Sequence, residues 1–302
     1  MNDIKLYNGV LMPNFCFGTG IIYDYRYGKC DFYHKSKYML RNLVSNRDKL
    51  ITDLTFDKVI DTAMNCGCRM FDTSRAYGGA EYALGKALKK YDRKSYFIVT
   101  KLSNTDQYNG DVRKSLEKSL NELNMDYVDL YLIHWPVKGY YMSSWKQIEV
   151  LYEEGLCRTI GVCNCNIHHI KEFEKNVNIM PMVNQIECHP LFTQNDLRLY
   201  CKDRQIQIMA YTSTARMDER LRKTKLLPIA EKYCKSIPQI ILKWHQQIGN
   251  IPIVNTTKTK HLVENLNIKD FLLNDDEVKE IAQININSRL RYDPDNCDFS
   301  QL

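Results

Sequence analysis

The chain has 302 residues, 44% of them hydrophobic and 26% charged, with a formal charge of +6. That is apolar material for one large α/β domain or two ordinary ones, and it excludes a disordered chain. The mild, dispersed positive charge argues against a nucleic-acid partner and suits a phosphorylated cofactor or an anionic substrate. The start, Met1-Asn2-Asp3-Ile4-Lys5-Leu6, lacks the apolar stretch of a signal peptide. No run of about 18 apolar residues offers a membrane span, so a cytoplasmic protein without membrane contact is expected. Eleven cysteines scattered along the chain fit reduced thiols better than a disulfide framework. Cys66-Gly67-Cys68 and Cys163-Asn164-Cys165 have one spacer each, and no histidine stands at zinc-finger spacing, so no metal site is expected.

In chain order, Ile4-Lys5-Leu6 followed by Gly9-Val10-Leu11-Met12-Pro13-Asn14 reads as an N-terminal β-hairpin, the second run being its turn, placed to plug the bottom of a barrel. Strands are expected over 14–18, 69–72, 96–100, 128–133, 158–162, 182–186, 207–211 and 251–254. Amphipathic helices fall between them, among them 55–66, 110–123, 143–154, 167–176, 194–204 and 226–235. This alternation predicts a (β/α)8 TIM barrel, with 1–302 as a single domain. A doubly wound sheet would want a glycine-rich phosphate loop after its first strand, and Gly18-Thr19-Gly20 leading into Ile21-Ile22-Tyr23 is not one.

One segment breaks the rhythm. Residues 23–53, rich in tyrosine and in basic side chains, follow the first barrel strand, where such connections usually take a few residues. They read as an insertion on the rim, either a surface decoration with a short helix near 36–45 or a lid. Gly20 leaves room beneath it.

Three apolar runs each end in an ionisable residue: Asp72 after Arg69-Met70-Phe71, Lys101 after Phe97-Ile98-Val99-Thr100, and His134 after Leu130-Tyr131-Leu132-Ile133. Barrel strands deliver catalytic groups to one rim in this way. Tyr77 follows Asp72 by five residues. A tyrosine with a free pKa near ~10 is a poor acid at neutral pH, and a lysine ammonium beside it favours the phenolate. Asp72 would keep that lysine charged and aimed. The chemistry suggested is proton donation to a carbonyl oxygen.

The blocks Asp72-Thr73-Ser74-Arg75-Ala76-Tyr77-Gly78-Gly79-Ala80-Glu81, Val99-Thr100-Lys101-Leu102 and Leu130-Tyr131-Leu132-Ile133-His134-Trp135-Pro136 resemble the aldo-keto reductase family. So do Gly161-Val162-Cys163-Asn164, Val183-Asn184-Gln185-Ile186-Glu187-Cys188-His189-Pro190 and Ala210-Tyr211. The resemblance runs from about Gly9 to Phe299, interrupted by the insertion, and the tail 287–299 is similar to that of compact bacterial members. It implies reduction of an aldehyde or ketone with NADPH, NADH being possible. Tyr77 would be the general acid, tuned by Lys101 and Asp72, with His134 orienting the carbonyl and Trp135 lining the substrate site. Asn164 and Gln185 would hold the nicotinamide carboxamide and Tyr211 would stack on the ring. Thr19, Asp72, Cys163, Thr212, Thr214, Asn255, Thr256, His261, Glu264 and Asn265 would complete the cofactor contacts.

The departures from the family pattern carry expectations of their own. Cys163 stands where a small hydroxylic residue is usual, so a weaker donor faces the carboxamide. Thr212-Ser213-Thr214-Ala215 lacks Pro-Leu-Gly character, so the strap over the pyrophosphate is shaped differently. Asn255 and His261 replace the lysine and arginine of NADPH-preferring relatives, removing charge-assisted bonds worth roughly 1.5–3 kcal/mol each; Lys258 or Lys260 would compensate. The resemblance implies a small-molecule carbonyl substrate, and a monomer is expected. Two competing readings are a cofactor-binding regulatory subunit of the same fold, which has no need of the Asp72, Tyr77, Lys101 and His134 set, and a Schiff-base aldolase using Lys101, which leaves Tyr77 unexplained. His189 and Glu187 alternate at one strand end, where His189-Pro190 shapes the rim rather than binding a metal.

Overall fold

A computed structural model describes residues 3–20, 53–296 and 299. Apart from Asp53, the expected insertion at 23–53, with its short helix near 36–45, lies outside the described residues. The chain opens with a two-stranded hairpin, β1 (Ile4–Lys5) and β2 (Leu11–Met12). Its turn falls earlier than the sequence suggests. Gly9, at φ 87°, closes a loop in which the Leu6 N–H donates to the Val10 carbonyl, and Leu11 and Met12 then pair with Lys5 and Ile4. The left-handed glycine sets the bend, so the apolar pair after it is free to extend. The Tyr7 hydroxyl donates to the Met180 carbonyl and the Asn8 amide to the Arg158 carbonyl, which fastens the hairpin under the N-terminal ends of the barrel strands.

Eight parallel strands close the barrel: β3 (Cys16–Gly18), β4 (Met70–Asp72), β5 (Phe97–Leu102), β6 (Val128–Ile133), β7 (Cys157–Cys163), β8 (Val183–Glu187), β9 (Gln207–Tyr211) and β10 (Ile251–Val254). Each pairs with its sequence neighbour, and β10 returns to β3. All eight match expected strands to within two residues at either end. Most of them, such as β5 and β6, read as largely apolar runs because helices cover their outer face and side chains fill the interior; β8, with Asn184, Gln185 and Glu187, departs from this. Asp129, inside β6 and fully buried, is answered by Arg93 at 2.7 Å, Arg158 at 2.8 Å and the Ile98 N–H at 2.8 Å. A buried charge survives only when so partnered.

Helix α1 (Asp53–Asn65) precedes β4; α2 (Ala80–Leu88) follows it; α3 (Asn104–Asn109) and α4 (Val112–Leu123) follow β5. Then come α5 (Tyr141–Glu153), α6 (Ile167–Asn176), α7 (Asn195–Asp203), α8 (Leu226–Lys232), α9 (Ile237–Gln247), α10 (Thr259–Leu266) and α11 (Asp275–Ala282). At Gly85, where α2 meets α4, a β-carbon would stand 2.2 Å from the Leu123 carbonyl oxygen, so only glycine lets the two helices approach. Cys16, Cys68, Cys157, Cys163, Cys165, Cys188 and Cys201 are buried, and burial raises all seven thiols above their ordinary pKa. No helix among the described residues is long and apolar enough to cross a membrane.

Candidate active site

Because the strands are parallel, their C-terminal ends share one rim, and the expected site residues fall along it. Asp72 ends β4, Lys101 is the penultimate residue of β5, His134 follows β6, Asn164 follows β7, Gln185 lies within β8 and Tyr211 ends β9. The Lys101 ammonium, fully buried, reaches both carboxylate oxygens of Asp72 and the Thr73 carbonyl, each at 2.7 Å. Three acceptors match its three hydrogens. Burial alone would depress this ammonium, but the Asp72 carboxylate, helped by Tyr77 and Cys163, outweighs it and holds Lys101 above its ordinary value. The Gln185 amide donates to Asp72 Oδ2, one of the two oxygens that Lys101 reaches, at 2.8 Å.

Tyr77 stands on the turn after β4, its N–H bonded to the Ser74 carbonyl. Its ring centroid is 4.9 Å from the Lys101 nitrogen and 5.7 Å from the His134 ring, edge to face. Burial, reinforced by Lys101 and Arg291, pushes His134 down to about 3, so the imidazole is neutral at neutral pH. A β-carbon on Gly20 would meet the Tyr77 ring at 3.3 Å; the bare glycine backs directly onto the tyrosine. Thr19 donates its N–H and its hydroxyl to the Asp72 carbonyl at 2.8 and 3.1 Å.

A second chain of contacts runs beside the first. Asn164, in the left-handed region at φ 60°, donates its amide to the His134 carbonyl at 3.0 Å and accepts the Tyr211 hydroxyl at 2.7 Å. Asparagine is among the few residues tolerated there. Cys163 is buried beside Lys101, its thiol raised by burial with the lysine pulling the other way. Trp135 is buried, its ring 6.1 Å from Phe299 and its carbonyl bonded to Gln107.

The remaining candidates occupy the next sector of the rim. Thr212, at φ 52°, accepts the Ala215 N–H on its carbonyl, and the Thr214 carbonyl accepts the Met217 N–H. The Ser213 hydroxyl ties this strap to the Ile253 carbonyl of β10. Beyond β10, Asn255 is exposed and the Thr256 hydroxyl accepts the Lys258 N–H at 3.1 Å. His261, Glu264 and Asn265 lie on α10, where the Glu264 carbonyl accepts the Gln239 amide. No hydrogen bond among the described residues joins this sector to the Asp72 cluster.

The structure adds groups that the sequence reading did not single out for these positions. The Ser74 hydroxyl accepts the Ala76 N–H and lies 3.4 Å from His134 Nδ1. Glu187, fully buried, accepts the N–H groups of Leu290 and Arg291 and stands 3.1 Å from His189 Nε2. A charged residue closing a fully buried strand is the one signal the sequence carries for it. His168, His169 and Asp295 bring three ligand-type atoms within 4.8 Å of one another. The tautomer opposes a metal there: His169 Nδ1 accepts the Asn166 N–H, which leaves the ring proton on Nε2, the atom a metal would need.

The Aldo/keto reductase family profile matches residues 44–286. The chain is 36% identical over 300 residues to a glyoxal reductase of Bacillus subtilis, covering 99% of this chain and 98% of that one. It is 39% identical over 241 residues to a methylglyoxal reductase of Salmonella typhimurium, 78% of this chain and 86% of that one. A crystal structure of a Bombyx mori aldo-keto reductase in complex with NADP superposes with a TM-score of 0.82 at 28% identity, covering 97% and 95% of the two chains. The chain belongs to the aldo/keto reductase family.

Proposed function

We propose that the chain reduces a small aldehyde or ketone to an alcohol with NADPH, Tyr77 donating the proton to the carbonyl oxygen. The observation that carries this reading is the fully buried Lys101–Asp72 pair set behind the Tyr77 ring, with a neutral His134 on its edge. NADPH, when bound, supplies the hydride. The residues present fit such a cofactor. Asn164 and Gln185 offer primary amides whose paired donor and acceptor match a carboxamide, the half-buried Tyr211 ring offers a stacking face, and Thr256, Lys258 and Lys260 stand at the rim for a phosphate.

The protein's own part is proton donation and charge stabilisation. As negative charge grows on the carbonyl oxygen, the Tyr77 hydroxyl gives up its proton, and the ammonium 4.9 Å from its ring stabilises the phenolate left behind. Asp72 keeps that ammonium protonated and aimed. The Ser74 hydroxyl, having accepted the Ala76 N–H, has its own hydrogen left for His134 Nδ1. That leaves the His134 proton on Nε2, from which a neutral imidazole donates a hydrogen bond to the carbonyl oxygen without competing for the proton.

The Tyr77→Phe variant tests the assignment with glyoxal or methylglyoxal, the substrates in the relatives' names. Turnover is expected to fall by about 10²–10⁴-fold, the usual contribution of a general acid, while fluorescence titration with NADPH still saturates. Turnover within a few-fold of the parent protein would remove Tyr77 from the mechanism.

A further inference from the structure

After α11 the chain crosses the rim that carries the site. The Glu187 carboxylate accepts the Leu290 N–H at 2.6 Å and the Arg291 N–H at 3.1 Å, with the Arg289 guanidinium at 3.9 Å. Glu187 is paired in register with Tyr211, so the backbone of Arg291 is pinned beside that end of the site. Farther on, Asp295 accepts the Asn166 amide at 2.7 Å, two residues past Asn164, and the Phe299 carbonyl accepts the Asn104 amide while its ring packs on Trp135. The tail thus passes from the ends of β8 and β9 to those of β6 and β5, around His134.

Arg291 is the cation that this path brings to the site. Its charge acts with burial and Lys101 to keep His134 neutral, and on the Tyr211 hydroxyl it opposes the upward push of burial and Glu187. The charge of Lys101 is answered by Asp72, and Arg289 has Glu187. Arg291 forms no ion pair with a carboxylate among the described residues; its guanidinium carbon lies 5.7 Å from the centroid of the Tyr292 ring, which leaves its charge unneutralised. A cation at a pocket whose histidine is neutral leaves positive potential for an anion, and a guanidinium fork matches a carboxylate in particular.

We propose that Arg291 is a specificity-determining residue that favours substrates carrying a carboxylate next to the reacting carbonyl. Its guanidinium holds the carboxylate while Tyr77 and His134 address the carbonyl oxygen. The carboxylate is a spectator, so hydride and proton are delivered as for a neutral aldehyde. This proposal rests on the reductase reading above.

Glyoxylate and glyoxal, alike in size and differing in charge, separate the two. Steady-state kinetics with NADPH on the parent protein and on Arg291→Gln should show the glyoxylate-to-glyoxal ratio of kcat/KM falling roughly 10- to 100-fold, mostly through the KM for glyoxylate. Arg291→Lys should recover part of the loss, keeping the charge without the fork. A ratio that shifts less than twofold, because both substrates suffer equally or neither does, overturns the proposal. A parent protein that reduces glyoxal but not glyoxylate also overturns it and leaves the reductase reading standing. Inertness toward both and toward other neutral aldehydes undoes the reductase reading and the proposal together.

Discussion

Replacing Lys101 by methionine separates what the buried ion pair does for the fold from what it does for the chemistry. Lys101 is fully buried and Asp72 is 3% exposed. Without the ammonium, Asp72 keeps the Gln185 amide but has no cation. Removing one member of a buried pair costs about 3–5 kcal/mol, because the other charge is stranded. At about 2–3 °C per kcal/mol for a chain of this length, the melting temperature should drop by roughly 6–15 °C. Adding Asp72→Asn to Lys101→Met removes the stranded charge and should return most of that loss. Turnover should not return: both variants lack the cation behind Tyr77, and kcat should stay depressed by about 10²-fold or more. Thermal unfolding followed by circular dichroism, with NADPH oxidation at 340 nm, reads both quantities. A double variant that regains stability and turnover together would show that Lys101 is only scaffold, and a loss below about 1 kcal/mol in Lys101→Met would contradict the buried pair itself.

Acid should destabilise the fold through histidines held neutral. His134 and His245 are each pushed down to about 3 and His169 to about 4, burial being the largest cause each time. The unfolded chain protonates these rings near pH ~6.5 while the folded chain does not, so stability falls as pH drops from about 6.5 toward 4. By pH 5 each contributes a loss of roughly 2 kcal/mol at most; a urea midpoint unchanged between pH 7.5 and 5 would contradict this. Gly85→Ala should destabilise by about 1–3 kcal/mol or more, since the new methyl meets the Leu123 carbonyl rather than a movable side chain; a melting temperature within 1 °C of the parent would refute the close approach. Asn255→Lys should tighten NADPH binding roughly tenfold, leaving NADH nearly as before. Equal changes for both cofactors would place Asn255 away from the 2′-phosphate.

Most of the barrel is legible in the sequence because each strand announces itself locally. Runs such as Leu130 to Ile133 are apolar throughout, and at three of them an ionisable residue marks where the interior meets the rim. Asp72, Lys101 and His134 are legible for the same reason. What the sequence hides is contact across distance. Nothing near Glu187 announces that Leu290 and Arg291, a hundred residues later, hang from its carboxylate. Nor does the motif around Ser74 reveal that its hydroxyl sits beside His134. The hairpin turn is displaced for a simpler reason: Gly9 and Pro13 both signal turns, and periodicity does not say which one bends the chain.

The buried cysteines acquire meaning beside the electrophiles for which two of the relatives, a glyoxal reductase and a methylglyoxal reductase, are named. Dicarbonyls capture thiolates by addition at the carbonyl carbon, so a reductase of the proposed kind would gain from keeping thiolates away from its rim. Cys163 and Cys165 stand one residue to either side of Asn164, and Cys188 follows Glu187, yet burial keeps all three protonated and out of solvent. Only the thiolate attacks. Among the described cysteines, Cys234 alone is exposed, on a turn after α8 and outside the contacts that build the site. Among the described cysteines, brief exposure to a thiol alkylator should therefore mark Cys234 first and leave the thiols flanking Asn164 intact.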